Sequence, residues 1–163
     1  MAKKTSATNP SRQTNGKTAG DPVVRQLEAL LASSYTLYTK TQNYHWNVTG
    51  PMFTTLHTLF ETQYTELAVA IDEIAERIRA RGAFAPGSAT EFARLSAVRE
   101  DTGRTDARQM IRALTADQEA IGEVARRVIA AAESANDQAS VDLGTRRLDA
   151  HEKNAWMLRV HLE

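Results

Sequence analysis

From Met52 to Arg81 the chain runs thirty residues without a glycine or a proline. Gly50-Pro51 stand just before this run and Gly82 just after it. Such a run, bounded by breakers and carrying apolar residues three and four apart, predicts one long helix. At about 100° per residue, Phe53, Leu56, Phe60, Tyr64, Leu67, Ile71, Ile74 and Ile78 form a single stripe. Beside it lies a second, chemically different face. With His57 at zero, Glu61 falls at about 40°, Asp72 at about 60° and Glu76 at about 100°. Small residues, Thr54, Thr65, Ala68 and Ala75, fill that face between them, so another helix can approach closely.

Charged helix faces ordinarily interleave bases with acids. From Met52 to Glu76 there is no lysine or arginine, and such an uncompensated acid run points to a cation as partner. His45 adds a second imidazole shortly before the break at Gly50. His57 and Asp72 stand about 22 Å apart along the axis at 1.5 Å per residue. Metal–ligand bonds are roughly 2–2.5 Å, so one ion cannot join both ends within one chain. The positions are mirrored, however: 57 with 76, and 61 with 72, about a centre between Glu66 and Leu67. Two antiparallel copies on a two-fold axis would bring His57 and Glu61 of one chain beside Asp72 and Glu76 of the other, twice per dimer.

The segments HWNVTGPMF, LHTLFE and IDEIAERI, with HEKNAWMLR near the end, resemble the Dps proteins, the ferritin-like DNA-binding proteins from starved cells. The resemblance covers roughly residues 21–163. It implies an all-α fold, a ferritin-like four-helix bundle with a short extra helix in the long crossover between helices 2 and 3. It also implies a ligand set, both catalytic and metal-binding: His45, His57 and Glu61 from one subunit, Asp72 and Glu76 from its two-fold partner. Many members have Asp where this chain has Glu61. Trp46 would lie next to the site. Asp137 and Asp142 would line three-fold pores that admit iron. The implied activity is that of a ferroxidase: Fe(II) oxidised at a dinuclear site, preferably by hydrogen peroxide. Ferric mineral would be stored in a hollow homododecamer built through two-fold and three-fold interfaces, and DNA would be spared oxidative damage. An alternative stays open, a nucleoid-packing DNA-binding protein with little or no ferroxidase activity.

Of the 20 basic residues, Lys3, Lys4, Arg12 and Lys17 lie in the first twenty positions, where there is no acid. The remaining 16 face all 20 acidic residues, so the formal neutrality splits into a +4 arm and a −4 body. Residues 1–20 lack large apolar side chains and read as a disordered arm preceding a domain at 21–163. Its cations suit sequence-independent, salt-dependent contact with DNA phosphates, multiplied by avidity in an oligomer. There is no cysteine, hence no thiolate site. No apolar run approaches a membrane span and no signal-peptide core precedes the body. The chain therefore reads as cytoplasmic, nucleoid-associated if the arm holds DNA.

The rest of the chain completes the bundle. Asp21-Pro22 should cap a first helix reaching Trp46, with Val24, Leu27, Leu31 and Tyr38 inward. Residues 89–97 suit a short helix within the crossover. Thr105 or Asp106 should start a helix to about Ala135, and the last should cover 138–161, with Val141, Leu148, Ala155, Trp156 and Leu158 inward. Gly144 should weaken it by about 1 kcal/mol against alanine. The Glu-x-x-His pattern of bundle-centred di-iron sites is absent, so the bundle centre is expected to be apolar. His151 and His161 lack spaced partners and read as structural.

Overall fold

A computed structural model describes residues 20–101 and 105–163. The basic residues Lys3, Lys4, Arg12 and Lys17 lie outside the described residues. Five helices are present: α1 (Pro22–Asn47), α2 (Phe53–Ala80), α3 (Ala89–Leu95), α4 (Ala107–Ser134) and α5 (Gln138–Val160). No strand occurs among the described residues. No helix among them is long and apolar enough to cross a membrane.

Local chemistry sets most boundaries. The Asp21 carboxylate accepts from the Val23 amide at 2.9 Å, with Pro22 opening the first turn. Gly50, at φ +98°, turns the chain between α1 and α2. Gly82, at φ +84°, ends α2, and the amides of Gly82 and Ala83 return to the Arg79 and Ile78 carbonyls. Ser88 and Glu91 form a reciprocal capping box on α3. Asp106 and Asp137 cap α4 and α5.

α1 packs along α2 and α4, α4 along α5, α3 against α1, and α2 touches α5. The core joins Leu27, Leu31 and Leu37 to Leu56, Phe60, Leu67, Ile74 and Ile78, and to Ile111, Leu114, Ile121 and Val128. At Gly144 a Cβ would stand 2.8 Å from Ile129 Cγ1. The glycine expected to weaken α5 thus stands at a close approach of α4 and α5. An ion-paired knot ties one end of the bundle. Arg81 donates to Asp21 at 2.6 Å, its Nη1 lies 3.4 Å from Asp137, and Arg77 donates to both Asp137 and Ser140.

Three expectations are corrected. Phe53 is 44% exposed and Trp156 58% exposed, so both leave the single-chain core; periodicity does not distinguish a core stripe from any other apolar face. The bundle interior, expected to be apolar, holds Gln63, Gln118, Arg147 and His151, all buried. They come from three different helices, so no spacing within one helix announces them.

Candidate metal centre

His45 lies in the last turn of α1 and His57 in the second turn of α2. The short link through Gly50 folds α2 back on α1 and lays the two imidazoles face to face, centroids 3.7 Å apart and planes 19° from parallel. His45 Nδ1 is 2.8 Å from the His57 carbonyl oxygen, and His57 Nδ1 is 2.9 Å from the His45 carbonyl oxygen. A carbonyl only accepts, so each Nδ1 carries the proton and donates it. In the neutral imidazole this leaves the lone pair on Nε2. This is how ligating histidines are oriented: the distal nitrogen is tied down and the other is presented. Phe53 stacks on His57 at 5.0 Å, and Tyr64 stands edge-on to His45 at 5.3 Å.

α2 carries five carboxylates, and the structure divides them cleanly. Glu66 pairs with Arg147, and Glu73 with Arg146. Glu61, Asp72 and Glu76 are exposed and make no ion pair or hydrogen bond among the described residues. These three are the ones whose spacing marks them as ligands. Three unneutralised carboxylates and two imidazoles with free Nε2 make a donor set suited to Fe(II) and similar borderline cations. A single chain brings His45 and His57 together but forms no group of three or more such ligands among the described residues. Trp46 is 67% exposed, at the same end of α1.

Asp137 and Asp142 have different surroundings. Burial alone would raise the Asp137 pKa, but hydrogen bonds from Arg77 and Ser140 outweigh it and hold it at about 2. Its oxygens are spent on those partners and on capping α5. Asp142 is exposed and pairs with Arg146 at 3.0 Å.

Sequence reasoning missed the reciprocal histidine–carbonyl brace, because no residue pattern encodes it. It also missed the buried polar group around Arg147. A signal for that existed: Gln63 falls on the inward stripe between Phe60 and Leu67, and Gln118 between Leu114 and Ile121.

The chain matches the ferritin family, described as "Ferritin-like domain", over residues 24–163. It is 37% identical over 140 residues to DNA protection during starvation protein 2 of Bacillus anthracis, covering 86% of this chain and 96% of that protein. It is 36% identical over 148 residues to the DNA protection during starvation protein of Brevibacillus brevis, covering 86% and 97%. Its fold superimposes on Dps from Staphylococcus aureus with a TM-score of 0.84 at 35% identity, covering 86% and 95%. A Vibrio cholerae Dps structure, described as a member of the ferritin-like diiron-carboxylate proteins, matches with a TM-score of 0.83 at 30% identity, covering 86% and 89%. Fold, helix order and relatives agree, and the chain belongs to the Dps proteins of the ferritin-like family.

Proposed function

We propose that this protein oxidises Fe(II) at a dinuclear centre shared by two chains and stores the ferric product, so protecting DNA. One observation carries the reading: His45 and His57 present free Nε2 lone pairs, while Glu61, Asp72 and Glu76 are the unpaired carboxylates of α2. Relatives named for DNA protection during starvation, and a neighbour described as a diiron-carboxylate protein, support it.

In this reading iron is substrate and cargo. His45, His57 and Glu61 bind it from one side. Asp72 and Glu76 of the partner subunit bind it from the other, with Asp72 as the bridging carboxylate. Hydrogen peroxide takes one electron from each of two Fe(II) ions and, with two protons, leaves as two waters. Because both electrons leave together, hydroxyl radical is not released. The ferric ions hydrolyse and collect in the cavity of a homododecamer. Asp142 lines the pore that admits iron, and Asp137, held by Arg77 and Arg81, caps the helix that frames it. Lys3, Lys4, Arg12 and Lys17 hold DNA through phosphates, without reading sequence.

Anaerobic Fe(II) titration followed by peroxide, with ferric absorbance and chromatographic mass read together, tests the reading. It expects two Fe(II) oxidised per peroxide in a multi-subunit particle, and loss of fast oxidation in His57→Ala/Asp72→Ala. Unchanged oxidation in that variant would assign the chemistry to other residues, and no fast oxidation by the natural protein would leave the nucleoid-packing reading instead. A gel shift at low salt tests the arm, with retardation expected from the full chain and lost on removing residues 1–20.

A further inference from the structure

The bundle interior contains a second set of ligand-type atoms, and they already surround a cation. Arg147 is almost wholly buried on α5. Its guanidinium donates to both oxygens of Glu66 on α2, Nη2 standing 3.2 Å from Glu66 Oε2. The same Nη2 lies 3.4 Å from His151 Nε2, one turn along α5. His151 Nδ1 is 2.6 Å from Gln118 Oε1 on α4. That amide oxygen only accepts, so Nδ1 carries the proton and the Nε2 lone pair faces the arginine. One guanidinium nitrogen is thus bracketed by a carboxylate oxygen and an imidazole lone pair, and the imidazole is braced from behind as metal-ligating histidines are.

The arginine does not use all the polar capacity around it. Both side-chain polar atoms of Gln63, with Gln118 Nε2 and Arg147 Nε, are buried without a hydrogen-bond partner. Gln63 sits one turn before Glu66 on α2, and His151 one turn after Arg147 on α5. Since α2 and α5 run antiparallel, with Glu66 on Arg147 and Arg77 on Ser140, Gln63 falls at the level of His151. A cleft of about 310 Å³ between α2 and α5, lined by Glu66, Ala70, Arg147 and Ala150, reaches the Glu66–Arg147 pair from outside.

We infer that Arg147 is the specificity residue that keeps metal out of the bundle interior, its guanidinium occupying the place a divalent cation would take among Glu66, His151 and Gln63. A guanidinium cannot shed its proton in a protein, so it holds the position at every working pH and does not yield to a metal as a lysine could. Without it, a carboxylate, an imidazole and an amide oxygen would face one another, donors suited to Fe(II), Co(II) or Zn(II). The inference does not depend on the proposed inter-subunit centre, because every atom in it belongs to one chain.

The test uses the full chain with His57→Ala/Asp72→Ala as parent, so that the proposed inter-subunit centre loses two of its five ligands and any Co(II) held by the other three is the background. Arg147→Ala and the bulkier Arg147→Gln are added separately. Each protein is titrated with Co(II), followed by its visible d–d absorption and by the melting temperature. Arg147→Ala should gain a bound Co(II) in each chain, with visible bands and a melting temperature that rises with Co(II) concentration, both beyond that background. Adding His151→Ala should abolish both, and adding Gln118→Leu should weaken binding by about 10–100-fold. If the arginine variants are unfolded without metal, folding on Co(II) addition supports the inference. Extra binding that survives His151→Ala overturns it. So does failure of both arginine variants to bind more Co(II) than the parent, whether folded or unfolded.

Discussion

His45 and His57 each donate Nδ1–H to the other's backbone carbonyl, at 2.8 and 2.9 Å, across rings stacked 3.7 Å apart. Each imidazole is thus held by a backbone carbonyl that an alanine in place of the other histidine would keep, so either side chain can be removed without freeing the ring that remains. In the proposed centre, replacing either by alanine should lower the rate of Fe(II) oxidation on the order of 10–100-fold, and the double variant should lose roughly the product of the two. Stopped-flow oxidation of the three variants checks this; a double variant no slower than either single one would show that the rings depend on one another through their stacking.

Breaking the Glu66–Arg147 pair from the acid side leaves a buried guanidinium without its counter-ion. Fully buried pairs lose roughly 3–5 kcal/mol in this way. The Glu66 side chain is 43% exposed, and solvent screening reduces the cost to about 2 kcal/mol. Glu66→Gln should lower the denaturation midpoint accordingly. Glu73→Gln, which breaks an exposed pair with Arg146, should cost well under 1 kcal/mol.

Burial, with the neighbouring Arg147 charge, pushes the His151 pKa down to about 3. In the unfolded chain the same imidazole titrates near 6.5. Below pH 6.5 the unfolded state takes up a proton that the folded state refuses until about pH 3. Stability from this residue is thus full above pH 6.5 and declines as pH falls toward 3, by about 1.4 kcal/mol per pH unit at the steepest. Glu66, Arg147 and Gln118 are the polar groups that contact this cluster. His151→Gln should flatten the slope of chemical-denaturation stability between pH 6 and pH 4.

Two glycines on facing helices should respond oppositely to alanine. At Gly122 the added Cβ would meet only Leu148 Cδ1, at an ordinary 3.6 Å, so the helix-propensity gain of about 1 kcal/mol should survive. At Gly144 it would meet Ile129 Cγ1 at 2.8 Å and the Ala125 carbonyl oxygen at 3.4 Å. Overpacking against a stiff β-branched side chain costs roughly 1–3 kcal/mol and should outweigh the gain. Thermal melts should show Gly122→Ala higher than the natural protein and Gly144→Ala lower.

The helices were legible because their ends carry strong local chemistry. Asp21-Pro22, Gly50-Pro51, Gly82 and Asp106 each leave a backbone few choices. The short helix expected over 89–97 forms over 89–95, where Ser88 and Glu91 cap it and Ser96 stops it. That Glu61, Asp72 and Glu76 share an exposed face of α2 was legible from angle alone, since a helix turns spacing directly into direction. The arginine cluster was not. Gln63, Gln118, Arg147 and His151 are brought together by packing of three helices, and no one segment holds more than two of them. Phe53 and Trp156 misled for a related reason: their spacing marks an apolar face, but nothing in spacing says whether the same chain covers it.

The knot of Asp21, Arg81 and Asp137 fastens the start of α1, the end of α2 and the start of α5 to one another. A pull on the chain ahead of Asp21 would therefore load three helices at once instead of peeling the first turn from the body, and need not be felt at His45, 24 residues further along the chain.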